Sequence, residues 1–94
     1  MIEDRKIKDL EFACGVADKR VRDAVNNLAE YSALVEKLRR RFLSLPEDSD
    51  ARAELQIEYE DALDEQHNLE CYVDCIMKER NHLYDELKRA IDES

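Results

Sequence analysis

The chain has 94 residues, of which 41% are charged and 6% are aromatic, with one glycine and one proline. This composition is typical of long helices and excludes a sheet, which needs β-branched runs and turn residues. The net charge is −9, and the sequence lacks the basic face that is expected of a nucleic-acid binder. No stretch approaches the roughly 18 apolar residues of a membrane span. We expect one small domain, residues 1–94, that contacts neither nucleic acid nor membrane.

The N-terminal stretch and the cysteines indicate a reducing compartment. The sequence MIEDRKIKDLE carries both charge signs and lacks the apolar core of a signal peptide. Three cysteines are an odd number, unlike the disulfide framework of a small secreted domain. We therefore expect a cytoplasmic protein.

The first predicted element is a helix over about residues 3–44. Its apolar residues recur at alternating steps of three and four, which is the a/d heptad pattern of a coiled coil. A strand would instead alternate at every second residue. The a/d positions are Ile7, Leu10, Cys14, Ala17, Val21, Ala24, Leu28, Tyr31, Val35, Leu38, Phe42 and Leu45.

A turn is predicted over residues 45–49. Pro46 has no N–H for a helical ladder and disfavours helical geometry in Leu45. Asp48 and Ser49 suit the N-cap of a new helix, and Asp50 suits its first turn. Because a short turn makes neighbouring helices antiparallel, the sequence predicts an all-α, antiparallel two-helix coiled-coil hairpin.

The second helix, over about residues 50–92, repeats the heptads with two polar residues, Gln66 and Arg80. If the chain folds back at the turn, each layer of the seam contains one residue from each helix, and the two residue numbers sum to 97. Tyr31 then faces Gln66 and is placed to hydrogen-bond it, while Ala17 leaves room for Arg80. Arg80 either extends to water or Asp18, or contacts a carboxylate of a second copy. We expect the polar seam residues Tyr31, Gln66 and Arg80 to set the register.

The g positions that flank the seam are predicted to form ion pairs between the helices. Each pair places two opposite charges across the seam. Such pairs determine which helix segments associate more than they stabilise the hairpin. The basic run at residues 37–41 would then face the acidic start of the second helix. The predicted pairs are Arg41 with Glu58, Arg20 with Glu79, and Lys6 with Glu93.

The e edge of the hairpin is apolar and is predicted to bind a partner. The simplest partner is a second copy, which would give a dimeric four-helix bundle with two-fold symmetry. The alternative is that these residues only widen the intramolecular seam. Gly15 costs about 1 kcal/mol inside a helix, which suggests close approach of another backbone. The predicted partner or dimer face is Gly15, Val25, Ala29, Leu63, Met77, Tyr84 and Ile91.

His67, Cys71 and Cys75 lie four residues apart and therefore share one outer face of the second helix. Zinc uses such side chains, but a structural site needs four that converge, and these run along a single helix. We expect surface thiols without a metal, and keep a zinc or redox hairpin as an alternative. No glycine-rich loop or nucleophile elbow is present, so we expect no catalytic residue, no cofactor and no enzyme.

The segment 47–65 carries nine carboxylates and one cation, Arg52. A helix with so many carboxylates could imitate a phosphate backbone, whereas the simpler interpretation is a solubilising face. The acidic face of this alternative is Glu54, Glu58, Asp61 and Glu65. The favoured prediction is a non-enzymatic protein–protein interaction module: an adaptor, a small regulatory subunit or an inhibitor of a larger protein. The alternative is an acidic, nucleic-acid-mimicking inhibitor of a DNA- or RNA-binding protein.

Overall fold

The computed structural model describes residues 2–94, with side chains from residue 4 onward. It contains two α-helices, α1 (Ile2–Ser44) and α2 (Asp50–Glu93), and no strand in residues 2–94. Each helix extends one residue beyond its predicted outer end. The predicted all-α, two-helix hairpin is therefore confirmed. Within residues 2–94, neither helix has an apolar stretch long enough to cross a membrane.

The turn between the helices is closed by backbone bonds and by a serine cap. The N–H of Leu45 donates to the carbonyl of Phe42 at 3.3 Å, and that of Ser49 donates to Pro46 at 3.1 Å. Ser49 is the N-cap of α2, because its Oγ accepts the N–H of Arg52 at 3.4 Å. Asp50 lies in the first turn of α2, where a carboxylate complements the helix dipole.

The contacts of the chain cluster into two units. We call them the terminal unit (Met1–Val25 with Tyr72–Ser94) and the turn unit (Asn26–Cys71). Each unit contains a segment of α1 and a segment of α2.

The core of the terminal unit follows the predicted layers. Val21 and Ile76 are both buried, as are Ala24 and Val73, and the numbers in each of these pairs sum to 97. Cys14 is buried one heptad before Val21. Lys6 lines a groove with Ala90, and Asp18 accepts from the hydroxyl of Tyr84, so the two segments of this unit are antiparallel.

The turn unit has its own core, built from Val35, Leu55 and Ala62, of which Val35 and Ala62 form a predicted layer. Next to the turn, the rings of Phe42 and Tyr59 stack with centroids 5.9 Å apart and planes 7° from parallel. Such stacking of aromatic rings adds to the energy of burial.

Arg52 completes this aromatic cluster from the first turn of α2. Its guanidinium carbon lies 4.4 Å from the centroid of the Phe42 ring, and its Nη1 donates to the carbonyl of Leu45 at 3.0 Å. It thus ties the end of α1 to the start of α2 through a cation–π contact and a hydrogen bond.

All a/d positions of the two helices are buried or half-buried. In α2 these positions are Leu55, Tyr59, Ala62, Gln66, Leu69, Val73, Ile76, Arg80, Leu83, Leu87 and Ala90. The heptad pattern therefore identifies the seam of each unit.

The predicted ion pairs between g positions are not formed. Among the side chains of residues 4–94, three ion pairs of Lys or Arg with carboxylates, and the contact of His82 with Glu86, each join residues three or four apart on one helix. Arg41 and Glu58 line the same groove without pairing. An exposed ion pair contributes little energy, and this does not offset the ordering of two long side chains across the seam.

Candidate protein-interaction surfaces

A hydrogen bond in the terminal unit shows which residues share the e edge. The hydroxyl of Tyr84 donates to Oδ2 of Asp18, so that an e position of α1 faces an e position of α2. One heptad along, the same register sets Val25 opposite Met77. Val25, Met77 and Ile91 are each between 36% and 51% exposed. These apolar side chains border the seam without being covered by it.

Tyr84 is held in place by this bond rather than being free on the surface. The hydrogen bond to Asp18 raises the pKa of the Tyr84 phenol above its ordinary value of 10.0, and partial burial and the Asp18 charge act in the same direction. Arg80 does not reach Asp18; its Nη2 approaches Oδ1 of Asn81 at 3.4 Å. The carboxylate considered for Arg80 is therefore used by Tyr84.

Gly15 is exposed, and a Cβ built on it would meet no other atom within 4 Å. No packing within the chain therefore requires a glycine here. Gly15 lines a shallow groove on the outer face of α1, together with Phe12 and Val16. Phe12 is 75% exposed, and sequence reasoning missed it because an f position lies away from the seam. The feature of the sequence that could have identified this surface is an aromatic side chain at an f position.

The turn unit contains the other two predicted face residues, Ala29 and Leu63, and both are exposed. The amide of Gln66 extends to this flank, where its Nε2 donates to Oγ of Ser32 at 2.9 Å. Its hydrogen-bond partner is thus Ser32 rather than the predicted Tyr31. The long glutamine side chain carries its amide past the seam to the neighbouring flank, where the serine hydroxyl lies.

The g edge of the turn unit carries a groove that is apolar on one side and acidic on the other. Tyr31, Leu34 and Leu38 of α1 and Ala62 of α2 form the apolar part. The carboxylates that line the groove are Glu58, Asp61 and Glu65. We refer to this feature as the g-edge groove.

The row of possible metal ligands on α2 does not converge. Cys71 and Cys75 are exposed and free, and Sγ of Cys71 lies 3.6 Å from Nε2 of His67. Over the described part of the chain, no group of three or more His, Cys, Asp or Glu is placed to hold a metal ion. The His67–Cys71 contact is the ordinary neighbourhood of residues four apart on a helix.

Comparison of the chain with protein-family models, with curated proteins and with solved structures finds no match. The surfaces of the two units are therefore the features that bear on function.

Proposed function

We propose that this chain is a non-enzymatic protein–protein interaction module that acts as an adaptor, a small regulatory subunit or an inhibitor of a larger protein. We propose further that it pairs with a second copy through its e edge to form a dimeric four-helix bundle. The observation that carries the proposal is the contrast between the two sets of apolar residues. The a/d residues are covered within the chain, whereas Val25, Met77 and Ile91 remain exposed beside them.

A two-fold symmetric interface would bury such an edge on both copies at once. In a dimer each residue of the patch contributes twice, and burying its remaining apolar surface gives about 25 cal/mol per Å². Gly15 adds a second indication, because an internal glycine with no intramolecular role costs about 1 kcal/mol. Its position on α1 would allow a partner backbone to come close.

Analytical ultracentrifugation at micromolar concentration tests the dimer. We expect the wild type to sediment at twice the chain mass of 11.1 kDa, and the double variant Met77→Glu/Ile91→Glu to sediment as a monomer. Ile57→Glu is the matched control, since Ile57 is exposed on α2 away from the e edge. If the wild type sediments with a mass of 11.1 kDa, its partner is not a second copy. If only the Ile57→Glu control dissociates, the dimer interface does not lie at the e edge.

The acidic face supports a second candidate function, an inhibitor that occupies a nucleic-acid-binding site. All nine carboxylates of the segment 47–65 are exposed. Among residues 4–94, none of them forms an ion pair with an arginine of α1: Arg39 and Arg40 pair with Glu36, and Arg41 lies beside Glu58 without pairing. The face therefore keeps its negative charge, as a phosphate mimic requires.

Charge removal distinguishes this candidate from the first. Binding of a DNA-handling protein should weaken in the triple variant Glu54→Gln/Asp61→Asn/Glu65→Gln and at about 0.5 M salt. The double variant Met77→Glu/Ile91→Glu should bind like the wild type. Binding that survives both the salt and the triple variant would contradict the mimic.

A further inference from the structure

We propose that the g-edge groove binds a cationic amphipathic helix supplied by a different protein. The proposal deepens the protein-binding function above by naming a class of partner, and it uses an edge other than the e edge. It depends on the shape of the groove, on its charge and on an exposed leucine at a g position.

The shape of the groove suits a helix laid along it. Leu34 and Leu38 lie four residues apart on α1 and therefore share one face. On α2, Glu58, Asp61 and Glu65 follow the spacing i, i+3, i+7 and so also form a single row. The groove is open to solvent and has a volume of about 400 Å³. It therefore has room for several side chains of a partner.

The acidic side of the groove has no cation of its own. Among residues 4–94, Glu58, Asp61 and Glu65 take part in no ion pair. On α1, Arg39 donates to Glu36 at 2.8 and 3.0 Å, and Arg40 contacts the same carboxylate at 3.4 Å. These contacts lower the pKa of Glu36, with the Arg39 hydrogen bond as the largest cause. Arg41 lines a separate groove with Glu58 and forms no ion pair with it.

Leu34 is an apolar residue at a position that usually carries a polar side chain. It occupies a g position of α1 and lines the groove opposite Glu65 of α2. The leucine is 48% exposed. An exposed apolar side chain and an unpaired carboxylate therefore lie in the same groove, and one amphipathic ligand would contact both.

The chemistry of the groove defines the partner helix. Apolar residues at i, i+3 or i+4, and i+7 would pack on Leu34 and Leu38, and Lys or Arg on one flank would reach Asp61 and Glu65. A second copy of this chain fits poorly here, because a two-fold symmetric contact would set the acidic row of one copy against the same row of the other. A basic partner is attracted by the same field.

Fluorescence anisotropy with a designed peptide tests the proposal. The probe is a labelled lysine–leucine peptide of about 18 residues with leucines at helical spacing, since helices shorter than roughly 12–15 residues are marginal. A scrambled peptide of the same composition is its control. Both are titrated at about 50 mM salt, where surface charges are weakly screened. We expect the helical peptide to bind and the scrambled one to bind several-fold more weakly.

Two matched double variants locate the binding site. Asp61→Asn/Glu65→Gln removes two charges inside the groove and should raise Kd about twofold to thirtyfold. Glu60→Gln/Asp64→Asn removes two exposed charges on the same turns of α2 outside the groove, and should change Kd less than twofold. Leu34→Ala leaves the charge unchanged and should raise Kd several-fold, and circular dichroism verifies that each variant is folded.

Several results would overturn the proposal: no binding of the helical peptide, equal binding of the scrambled peptide, equal losses in the two double variants, or no effect of Leu34→Ala. Displacement of a second copy from the groove by the peptide would also overturn it, because the occupant would then be this chain. The e-edge variant Met77→Glu/Ile91→Glu should leave peptide binding intact. Loss of peptide binding and loss of the dimer are therefore measured independently of each other.

Discussion

At the scale of single residues, burial decides which apolar side chains hold the hairpin together. Ile76 is 3% exposed in the core of the terminal unit, whereas Ile57 is 63% exposed on the outer face of α2. We expect Ile76→Ala to lower the free energy of unfolding by about 2–5 kcal/mol, because the substitution removes buried methyl groups and leaves a cavity. Urea unfolding followed by circular dichroism measures the change.

Ile57→Ala is the matched control for this substitution, with the same two residue types on the same helix. It should alter the free energy of unfolding by no more than about 0.5 kcal/mol. Both variants must be compared at one protein concentration, since any self-association adds to the apparent stability. Equal losses at the two positions would contradict the assignment of the seam.

Tyr84 gives a prediction that depends on pH. Because the bond to Asp18 raises the pKa of the phenol, it stabilises the fold at pH values below the ordinary pKa of 10.0. This contribution is lost as the pH rises through the folded-state pKa, where the phenol loses the proton that it donates. Tyr84→Phe should therefore lower the thermal midpoint at pH 7, and the difference from the wild type should shrink above pH 10.0.

Tyr72→Phe is the control for this measurement. Tyr72 is an exposed tyrosine of the same unit, and its hydroxyl makes no side-chain hydrogen bond to a described residue. Its substitution should leave the midpoint unchanged across the same pH range. If the Tyr84→Phe difference grew with pH, the bond to Asp18 would not be its cause.

At the scale of elements, the turn and the caps decide where each helix ends. Ser49→Ala removes the oxygen that accepts the N–H of Arg52, and we expect it to lower the free energy of unfolding by about 1 kcal/mol. Ser44→Ala is the control on the other side of the turn. The Ser44 hydroxyl only donates to the carbonyl of Arg41 on its own helix, so thermal unfolding should show a smaller loss. Equal losses would mean that Ser49 does not act as a cap.

The sequence predicts the helices and the seam because both depend on local rules. The heptad steps place Val21 and Ile76 in one layer, and both are buried. Pro46 and Ser49 likewise predict the turn through backbone geometry and capping alone. Binary patterning of this kind is enough to specify a two-helix fold.

The surface contacts are less predictable, because exposed side chains choose among several partners of similar energy. Arg41 faces Glu58 as the heptad requires and still forms no ion pair with it, since exposed pairs contribute little. Asp18, which the sequence offers as a partner of Arg80, accepts instead from Tyr84. The contact of Arg52 with Phe42 depends on the path of the turn, which no periodic pattern describes.

The candidate interaction surfaces are also less predictable from the sequence than the fold is. The heptad positions of Val25 and Met77 predict that they lie outside the a/d seam, and both are exposed. The pattern does not say what covers them. The g-edge groove could be found only once α1 and α2 were placed side by side, because its apolar part comes mainly from one helix and its acidic part from the other.

At the scale of the whole molecule, the distribution of charge should make the fold sensitive to salt. Residues 1–45 hold ten basic and eight acidic residues, whereas residues 46–94 hold five and sixteen, so that the net charge of the second half is −11. The ion pairs of residues 4–94 are local and exposed, and such pairs contribute little. Repulsion among the carboxylates is therefore the larger electrostatic effect.

We expect the thermal midpoint to rise as NaCl increases from about 20 mM to about 200 mM, because the Debye length shortens to less than 10 Å and screens this repulsion. Circular dichroism at fixed protein concentration measures the shift. The double variant Asp61→Asn/Glu65→Gln should unfold at a higher temperature than the wild type at low salt and respond less to added salt. A midpoint that falls on adding salt would show instead that attractive ion pairs dominate, and the carboxylates of α2 would then already be neutralised within the protein.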